Sequence, residues 1–272
     1  MSGEGRRLPG QADPWRGLRR FTDARIALGR VGGSQPTEAV LDFRLAHAKA
    51  RDAVHRPLDA DALCARLAPL GLPVLRAASR APDRATYLQR PDLGRALAPE
   101  AAARLAGEPS AGYDVVFVLG DGLSALAVER HAPSLLEAVL TPLRAQGWRI
   151  GPLVVAEQAR VALGDEAGQA LNASLVVVLI GERPGLSSPD SLGIYLTYAP
   201  RPGRLNSERN CISNVRPEGL PCSTAAHKLV YLMSAAKRRA LSGIALKDES
   251  VKQPEMETDP QVPDARRLKG DA

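Results

Sequence analysis

Residues 175–180 read LVVVLI, and this stretch decides the fold. Val, Leu and Ile favour an extended strand, and the run does not alternate between apolar and polar residues. We therefore expect both faces of the strand to be covered, as in a sheet packed between two layers of helices. Burial of six such side chains contributes about 9–18 kcal/mol as an upper bound. The stretch predicts a central strand, with function at its ends.

Strand and helix patterns alternate on both sides of this run, which predicts a parallel α/β sheet with helices on both faces. Further strands are predicted at residues 72–77, 114–119, 150–156 and 192–198. Helices are predicted at residues 61–70, 99–106, 123–131, 134–146, 164–171 and 224–241.

The region before the sheet is predicted to be helical. Thr37 can cap a helix that begins at Glu38 and continues to about His55, where Pro57 disfavours further helix. Residues 21–33 are interpreted as a shorter helix that stops at two Gly. Residues 1–14 are predicted to form a loose arm and residues 249–272 a loose polar tail.

Composition narrows the class of protein. The net charge is +6, and thirty of the 36 basic residues are Arg, but these are scattered among acidic residues and aromatics make up only 4%. We attribute the high Arg content to compositional bias or to a subunit interface, where Arg is enriched, rather than to nucleic-acid binding.

Three Cys without zinc spacing indicate a reduced compartment. We see no secretory signal and no apolar run long enough to span a bilayer.

Three predicted loops follow strands, where ligands bind in open α/β sheets. The first, residues 120–124 (GDGLS), is either a ligand-binding turn or a tight strand-to-helix turn capped by Asp121. In the second, Glu182 either accepts amide N–H groups from a ligand or pairs with Arg183. In the third, residues 209–214 (RNCISN), Cys211 is either a ligand contact or a small buried hydrophobe.

The remaining chemistry-bearing residues form no recognisable motif. The four His include no metal-binding pair and no Asp-x-His-x-x-Gly, and the chain has no P-loop, no Gly-x-Gly-x-x-Gly and no Gly-x-Ser-x-Gly. The residues alone therefore indicate an α/β ligand-binding protein with no metal site. A stand-alone nucleotide-binding protein and a basic nucleic-acid-binding module are the alternatives from other classes.

Eight segments taken together resemble the ethanolamine ammonia-lyase small (light) subunit family, in order and spacing, from about residue 15 to 248. They are residues 22–30 (TDARIALGR), 47–55 (HAKARDAVH), 87–95 (YLQRPDLGR), 121–124 (DGLS), 160–165 (RVALGD), 180–193 (IGERPGLSSPDSLG), 209–214 (RNCISN) and 242–248 (SGIALKD).

The resemblance implies a small N-terminal helical part at residues 15–58 and a Rossmann-like, mostly parallel α/β domain at residues 59–248. It implies a hetero-oligomer with the large subunit, a barrel that binds ethanolamine, and adenosylcobalamin (coenzyme B12) between the two subunits. The family reaction converts ethanolamine to acetaldehyde and ammonia by radical chemistry that the cofactor supplies. The chain alone is expected to be an inactive ammonia-lyase subunit.

The family's cofactor-contacting positions fall on Val161, Glu182 and Cys211. The loops that carry Glu182 and Cys211 are also those that suit a ligand rich in amides, and a backbone contact would suit an apolar residue such as Val161. No catalytic residue is expected on this chain. Some family members carry an amphipathic N-terminal extension for packaging in a bacterial microcompartment. Residues 1–14 lack that pattern, so the cytoplasm is the expected location and a microcompartment the alternative.

Overall fold

A six-stranded sheet forms the centre of the protein in the computed structural model, which describes residues 13–109 and 112–250. The strands in chain order are β1 (Val74–Ala78), β2 (Tyr113–Gly120), β3 (Ile150–Glu157), β4 (Ala173–Gly181), β5 (Leu192–Tyr198) and β6 (Arg209–Val215). Their order across the sheet is β1-β3-β2-β4-β5-β6. The first four are parallel, whereas β5 and β6 join in antiparallel pairing. The mostly parallel α/β fold is confirmed.

Seven α-helices surround the sheet within the described ranges. They are α1 (Thr37–His55), α2 (Ala60–Leu67), α3 (Arg84–Gln89), α4 (Pro99–Ala106), α5 (Ala125–Ala145), α6 (Leu163–Ala170) and α7 (Cys222–Arg239). Apolar residues of α2, α5 and α7 pack on one face of the sheet, together with Phe117, Val177 and Ile194. Residues of α4 and α6 pack on the other face, together with Val118 and Val178. Successive residues of β4 enter opposite clusters, which explains why residues 175–180 are apolar throughout.

The last two strands in chain order, β5 and β6, pack on α7 with one face, and their opposite face is only partly covered. Ile212 of β6 lies in the core with α7, whereas its neighbours Cys211 and Ser213 point to the opposite side and are exposed. Tyr195 of β5 lies on that same side and is half-buried at the edge of the α4–α6 cluster. We call this side of β5 and β6 the open face.

Two predicted helices, at residues 123–131 and 134–146, are one continuous helix, α5, with Pro133 and Pro142 inside it. A Pro at position 133 removes the backbone N–H that would bond to the Glu129 carbonyl. The Arg66 side chain donates to that carbonyl instead. The helix continues because a tertiary contact, invisible in the local sequence, replaces the missing bond.

The predicted helix at residues 21–33 was wrong. A 3-10 helix spans Pro14–Phe21, and Ala27, Gly29 and Gly32 then adopt positive φ angles that a right-handed helix excludes. The predicted end of α1 at His55 is confirmed, but Thr37 is its first residue and gives no side-chain cap. The predicted arm at residues 1–14 and the tail at residues 249–272 lie almost wholly outside the described residues.

Candidate functional site

The carboxyl ends of the four parallel strands lie at one edge of the sheet, as do the start of β5 and the end of β6. The loops that follow β2, β3 and β4 therefore meet there. This is where open α/β sheets bind ligands. The loop after β4 borders the open face, because Gly181 at its start pairs with Leu192 of β5.

Asp121 holds two of these loops together. Its carboxylate accepts the backbone N–H groups of Gln158 (3.0 Å) and Ala159 (2.9 Å) and pairs with Arg84 at 3.1 Å. Burial raises the pKa of Asp121 to about 6, while Arg84 and the backbone N–H groups act in the opposite direction. All its acceptor atoms are used within the protein, so Asp121 fixes the loop that carries Val161.

The predicted cap of α5 was placed on the wrong residue. Ser124, not Asp121, accepts the N–H of Ala127 at 3.4 Å, and its hydroxyl donates to the Pro189 carbonyl at 2.8 Å. Gly122 has φ +56°, and a Cβ there would lie 2.2 Å from the Gly181 carbonyl oxygen. The glycine therefore allows the loop to pack on the end of β4. The tight-turn interpretation of residues 120–124 accounts for these contacts.

Hydrogen bonds from within the protein orient the Glu182 side chain through one carboxylate oxygen and leave the other oxygen without a donor in the part of the chain that the structure describes. Its Oε2 accepts the Ser191 hydroxyl and the backbone N–H of Asn214, the latter at 3.2 Å. Within the described residues Oε1 accepts no hydrogen bond, and Glu182 forms no ion pair with Arg183, whose side chain is exposed. Of the two interpretations of Glu182, the ion pair with Arg183 is not formed, and the carboxylate retains an acceptor for an outside donor.

Cys211 lies on a strand rather than in the predicted loop. It sits opposite Tyr195 in the β5–β6 register and faces the open face. Partial desolvation raises the pKa of the Cys211 thiol, and the Tyr195 hydroxyl acts against that shift. Burial, followed by the neighbouring Cys211, raises the pKa of Tyr195 to about 12. The thiol is therefore a neutral, exposed group at neutral pH rather than a thiolate nucleophile.

Val161 lies in the loop between β3 and α6. It is half-buried against the same apolar cluster that Tyr195 borders, and its carbonyl accepts the N–H of Gly164 at 3.1 Å. Val161 is therefore on the same side of the sheet as Glu182 and Cys211. Glu182, Tyr195 and Cys211 form one interacting cluster, whereas Val161 is on a neighbouring loop.

The sequence interpretation missed two residues of this cluster. Tyr195 and Gly193 both belong to β5, and a Cβ at Gly193 would lie 3.1 Å from Glu182 Oε1 and 3.3 Å from the Tyr195 ring. Strand alternation was the available signal, since Ile194 faces the core and its two neighbours must face the other way. We call Glu182, Gly193, Tyr195 and Cys211 the open-face cluster.

Asn210, unlike Glu182, makes all its side-chain hydrogen bonds to the backbone of this protein. Its side-chain amide donates to the carbonyls of Gly243 (3.2 Å) and Leu246 (2.8 Å), and its oxygen accepts the Gly243 N–H at 2.8 Å.

In the described ranges no three His, Cys, Asp or Glu side chains are grouped so that they could hold a metal ion. No described helix has the length and apolar character needed to cross a membrane.

The chain matches a known family over almost its whole described length. The model of the ethanolamine ammonia-lyase light chain family matches residues 12–247. The "Ethanolamine ammonia-lyase small subunit" of Azotobacter vinelandii is 58% identical over 247 residues, which is 90% of this chain and 92% of the relative. The protein of the same name from Ralstonia nicotianae is 58% identical over 241 residues, 87% of this chain and 88% of the relative. The chain belongs to the ethanolamine ammonia-lyase light chain family.

Proposed function

We propose that the chain is the small subunit of an adenosylcobalamin-dependent ethanolamine ammonia-lyase. It helps to hold cobalamin at the interface with a large catalytic subunit and is inactive without that subunit. The enzyme would convert ethanolamine to acetaldehyde and ammonia in ethanolamine catabolism, in the cytoplasm. The observation that carries the proposal is the open-face cluster, in which Glu182 presents an unused carboxylate oxygen beside the exposed thiol of Cys211.

The cluster suits the chemistry of a corrin. The rim of a corrin carries amide side chains, whose N–H groups need acceptors, and Glu182 Oε1 is an acceptor with no partner among the described residues. Gly193 is buried beside Glu182 and Tyr195, and its lack of a side chain leaves room for both of them. A planar macrocycle could approach the open face at Cys211, whose side chain is exposed.

Each residue then has a distinct task. Glu182 binds an amide N–H, and its orientation is fixed by Ser191 and Asn214. Cys211 and Tyr195 provide a polarisable and aromatic contact surface, and Val161 contributes a backbone group. The cofactor, when bound, supplies the radical that abstracts hydrogen from the substrate. The residues of this chain position the cofactor and shield one side of it from water.

The N-terminal part supports the need for a partner. Only Ala46 and Ala53 of α1 are buried. The exposed large apolar residues of this part are Trp15, Leu18, Phe21, Val31, Leu41, Phe43 and Leu45. Such a concentration of exposed apolar side chains is typical of a protein-interaction surface. We propose that residues 15–58 face the large subunit and that residues 59–248 form the cofactor-contacting domain.

Complex formation tests the proposal directly. The chain is expressed alone and together with the large subunit from the same genome, and each preparation is run on a sizing column with adenosylcobalamin. We expect the two chains to co-elute with the visible absorbance of cobalamin, and the chain alone to elute with little cofactor. Elution of two separate chains, with no cofactor on either, would contradict the proposal.

A further inference from the structure

We propose that Arg84 is a positioning residue that fixes the orientation of α1 before this helix docks on the large subunit. The inference rests on the proposed function, in which residues 15–58 face that subunit. In this role Arg84 acts through α1 and does not touch substrate or cofactor. We call Arg84 and its acceptors Val54, Asp121 and Gly122 the α1 joint.

Helix α1 buries little of its surface against the rest of the protein. Only Ala46 and Ala53 of its 19 residues are buried. Two clefts, of about 580 and 590 Å³, are lined by α1 on one side and by the loop after β4 on another. A helix with so few buried side chains has little packing energy of its own, so polar contacts at its ends have a large effect on its orientation.

Arg84, the first residue of α3, connects the end of α1 to two loops of the sheet domain. Its Nε donates to the Val54 carbonyl at 2.8 Å, and its Nη1 donates to the Gly122 carbonyl at 2.8 Å and pairs with Asp121 at 3.1 Å. Asp121 in turn accepts two backbone N–H groups of the loop after β3. One guanidinium therefore fixes the last turn of α1 relative to the loops after β2 and β3.

The Val54 carbonyl is a good acceptor for this contact. Val54 lies in the last turn of α1, where the carbonyls have no N–H partner within the helix and where the helix dipole favours a cation. The Arg84 side chain is only 11% exposed, and its guanidinium stacks on the buried Tyr87 ring at 4.8 Å. This stacking holds the plane of the donors, so the helix end meets them in one orientation.

The α1 joint contributes orientation more than net stability. Removal of Arg84 and Asp121 from water opposes the energy of their ion pair, so a buried pair of this kind adds little net stability. A second tie joins Arg56, after α1, to Glu129 of α5 at 2.6 Å, but the Arg56 side chain is 49% exposed and water competes for it. Arg84 therefore contributes more to the orientation of α1 than this second tie does.

A fixed α1 lowers the free-energy cost of docking. The helix carries the exposed apolar residues Leu41, Phe43 and Leu45. Without the joint, association would have to order the helix first, and this cost would be subtracted from the binding free energy. Loss of the joint should therefore weaken association with the large subunit and leave the assembled complex unaltered.

The test uses the variants R84Q and R84K and the control R204Q in the full-length chain. Arg204 resembles Arg84 because its side chain is 15% exposed, donates to two backbone carbonyls and pairs with Glu208, yet none of these acceptors belongs to α1. R84K keeps a positive charge beside Asp121 but lacks the forked donors that join α1 to the loop after β2. It carries the same test should R84Q fail to fold.

Two quantities are measured for each variant. The first is amide hydrogen exchange of the chain before assembly. The second is acetaldehyde release when the large subunit is titrated with the chain at saturating adenosylcobalamin and ethanolamine. The titration separates the chain concentration that gives half-maximal release, which reports association, from the plateau, which reports the assembled enzyme.

We expect R84Q to make the amides of α1 exchange about tenfold faster, while those of β2, β3 and β4 stay protected. The half-maximal chain concentration should rise about tenfold at an unchanged plateau. R84K should lie between wild type and R84Q, and R204Q should match wild type in both quantities.

The inference is overturned if R84Q changes α1 exchange or the half-maximal concentration no more than R204Q does. A lower plateau at an unchanged half-maximal concentration also overturns it, because Arg84 would then act at the site rather than through α1. No release by the wild-type pair would instead overturn the proposed function.

Discussion

Single carboxylates in this protein have two opposite roles, decided by what their oxygens contact. Asp121 is buried and has every acceptor filled by Arg84 and the 158–159 backbone. Glu182 is half-buried and keeps Oε1 without a partner in the described ranges. A filled carboxylate fixes the backbone around it, whereas one with an unused oxygen can accept a donor from a ligand.

Glu182→Gln should weaken cobalamin binding about tenfold, because a neutral amide oxygen accepts a weaker hydrogen bond than a carboxylate. Stability should change little, since the amide can still accept from Ser191 or Asn214. Equilibrium dialysis of cyanocobalamin with the two-subunit complex measures the affinity. Glu137→Gln, on the exposed side of α5, is the matched control. Equal affinities in the two variants would exclude Glu182 from the cofactor site.

Asp121 should make a measurable contribution to the pH dependence of stability. Because its folded pKa is raised to about 6, its contribution is fully present below the unfolded pKa of about 4 and is lost as pH rises through 6. The loss amounts to about 3 kcal/mol over this window. Urea unfolding of wild type and Asp121→Asn at several pH values measures it. Between pH 4 and pH 7 the unfolding free energy of wild type should fall relative to that of Asp121→Asn. A difference between the two proteins that does not change with pH would contradict the raised pKa of Asp121.

At the scale of elements, a buried ion pair connects α6 to β6. Arg209 donates two hydrogen bonds to Asp165, at 2.5 and 2.7 Å, and both side chains are only 2% exposed. Arg209 also donates to Thr197 of β5 at 3.1 Å. The pair joins the first turn of α6 to the first residue of β6.

Asp165→Asn should destabilise the protein by about 3–5 kcal/mol, because it leaves the Arg209 charge buried without a counter-ion. Asp92→Asn is the control, since its pair with Arg90 is about 60% exposed on both sides and should contribute little to stability. Guanidinium unfolding followed by circular dichroism measures both. Similar losses of unfolding free energy in the two variants would contradict a larger contribution from the buried Asp165–Arg209 pair.

The contact between the loop after β2 and the end of β4 depends on Gly122. Gly122→Ala places a Cβ 2.2 Å from the Gly181 carbonyl, in addition to the left-handed backbone. Gly147→Ala has the same kind of backbone, at φ +71°, but nothing within 4 Å of the added atom. We expect a cost of about 1 kcal/mol at Gly147 and a several-fold larger cost at Gly122, measured by thermal unfolding. Equal costs would contradict the close packing of the two loops.

At the scale of the whole molecule, the sheet is covered on both faces near β1–β4 and on one face near β5 and β6. The N-terminal part adds further exposed apolar side chains. An open strand face and an apolar surface on one chain are what a subunit needs in order to share a cofactor with a partner.

The central strands were predictable from the sequence because burial on both faces leaves long apolar runs, as at residues 175–180. β6 was not, because Arg209 is buried in an ion pair and Cys211 and Ser213 are exposed, so that the strand has a polar, loop-like composition. The continuity of α5 depended on Arg66, 63 residues from Glu129, which no local pattern reveals. Glu182 and Cys211 were named from their loops and the family resemblance, whereas Tyr195 required the register of β5 against β6.

The most direct test of the proposed role is ethanolamine-dependent release of acetaldehyde with adenosylcobalamin. The chain alone, the large subunit alone and the co-expressed pair are assayed under the same conditions. We expect acetaldehyde only from the pair, and less of it from a pair carrying Glu182→Gln at limiting cofactor. Release at the full rate by the large subunit alone, or no release by the pair, would contradict the role of this chain as a cofactor-holding subunit.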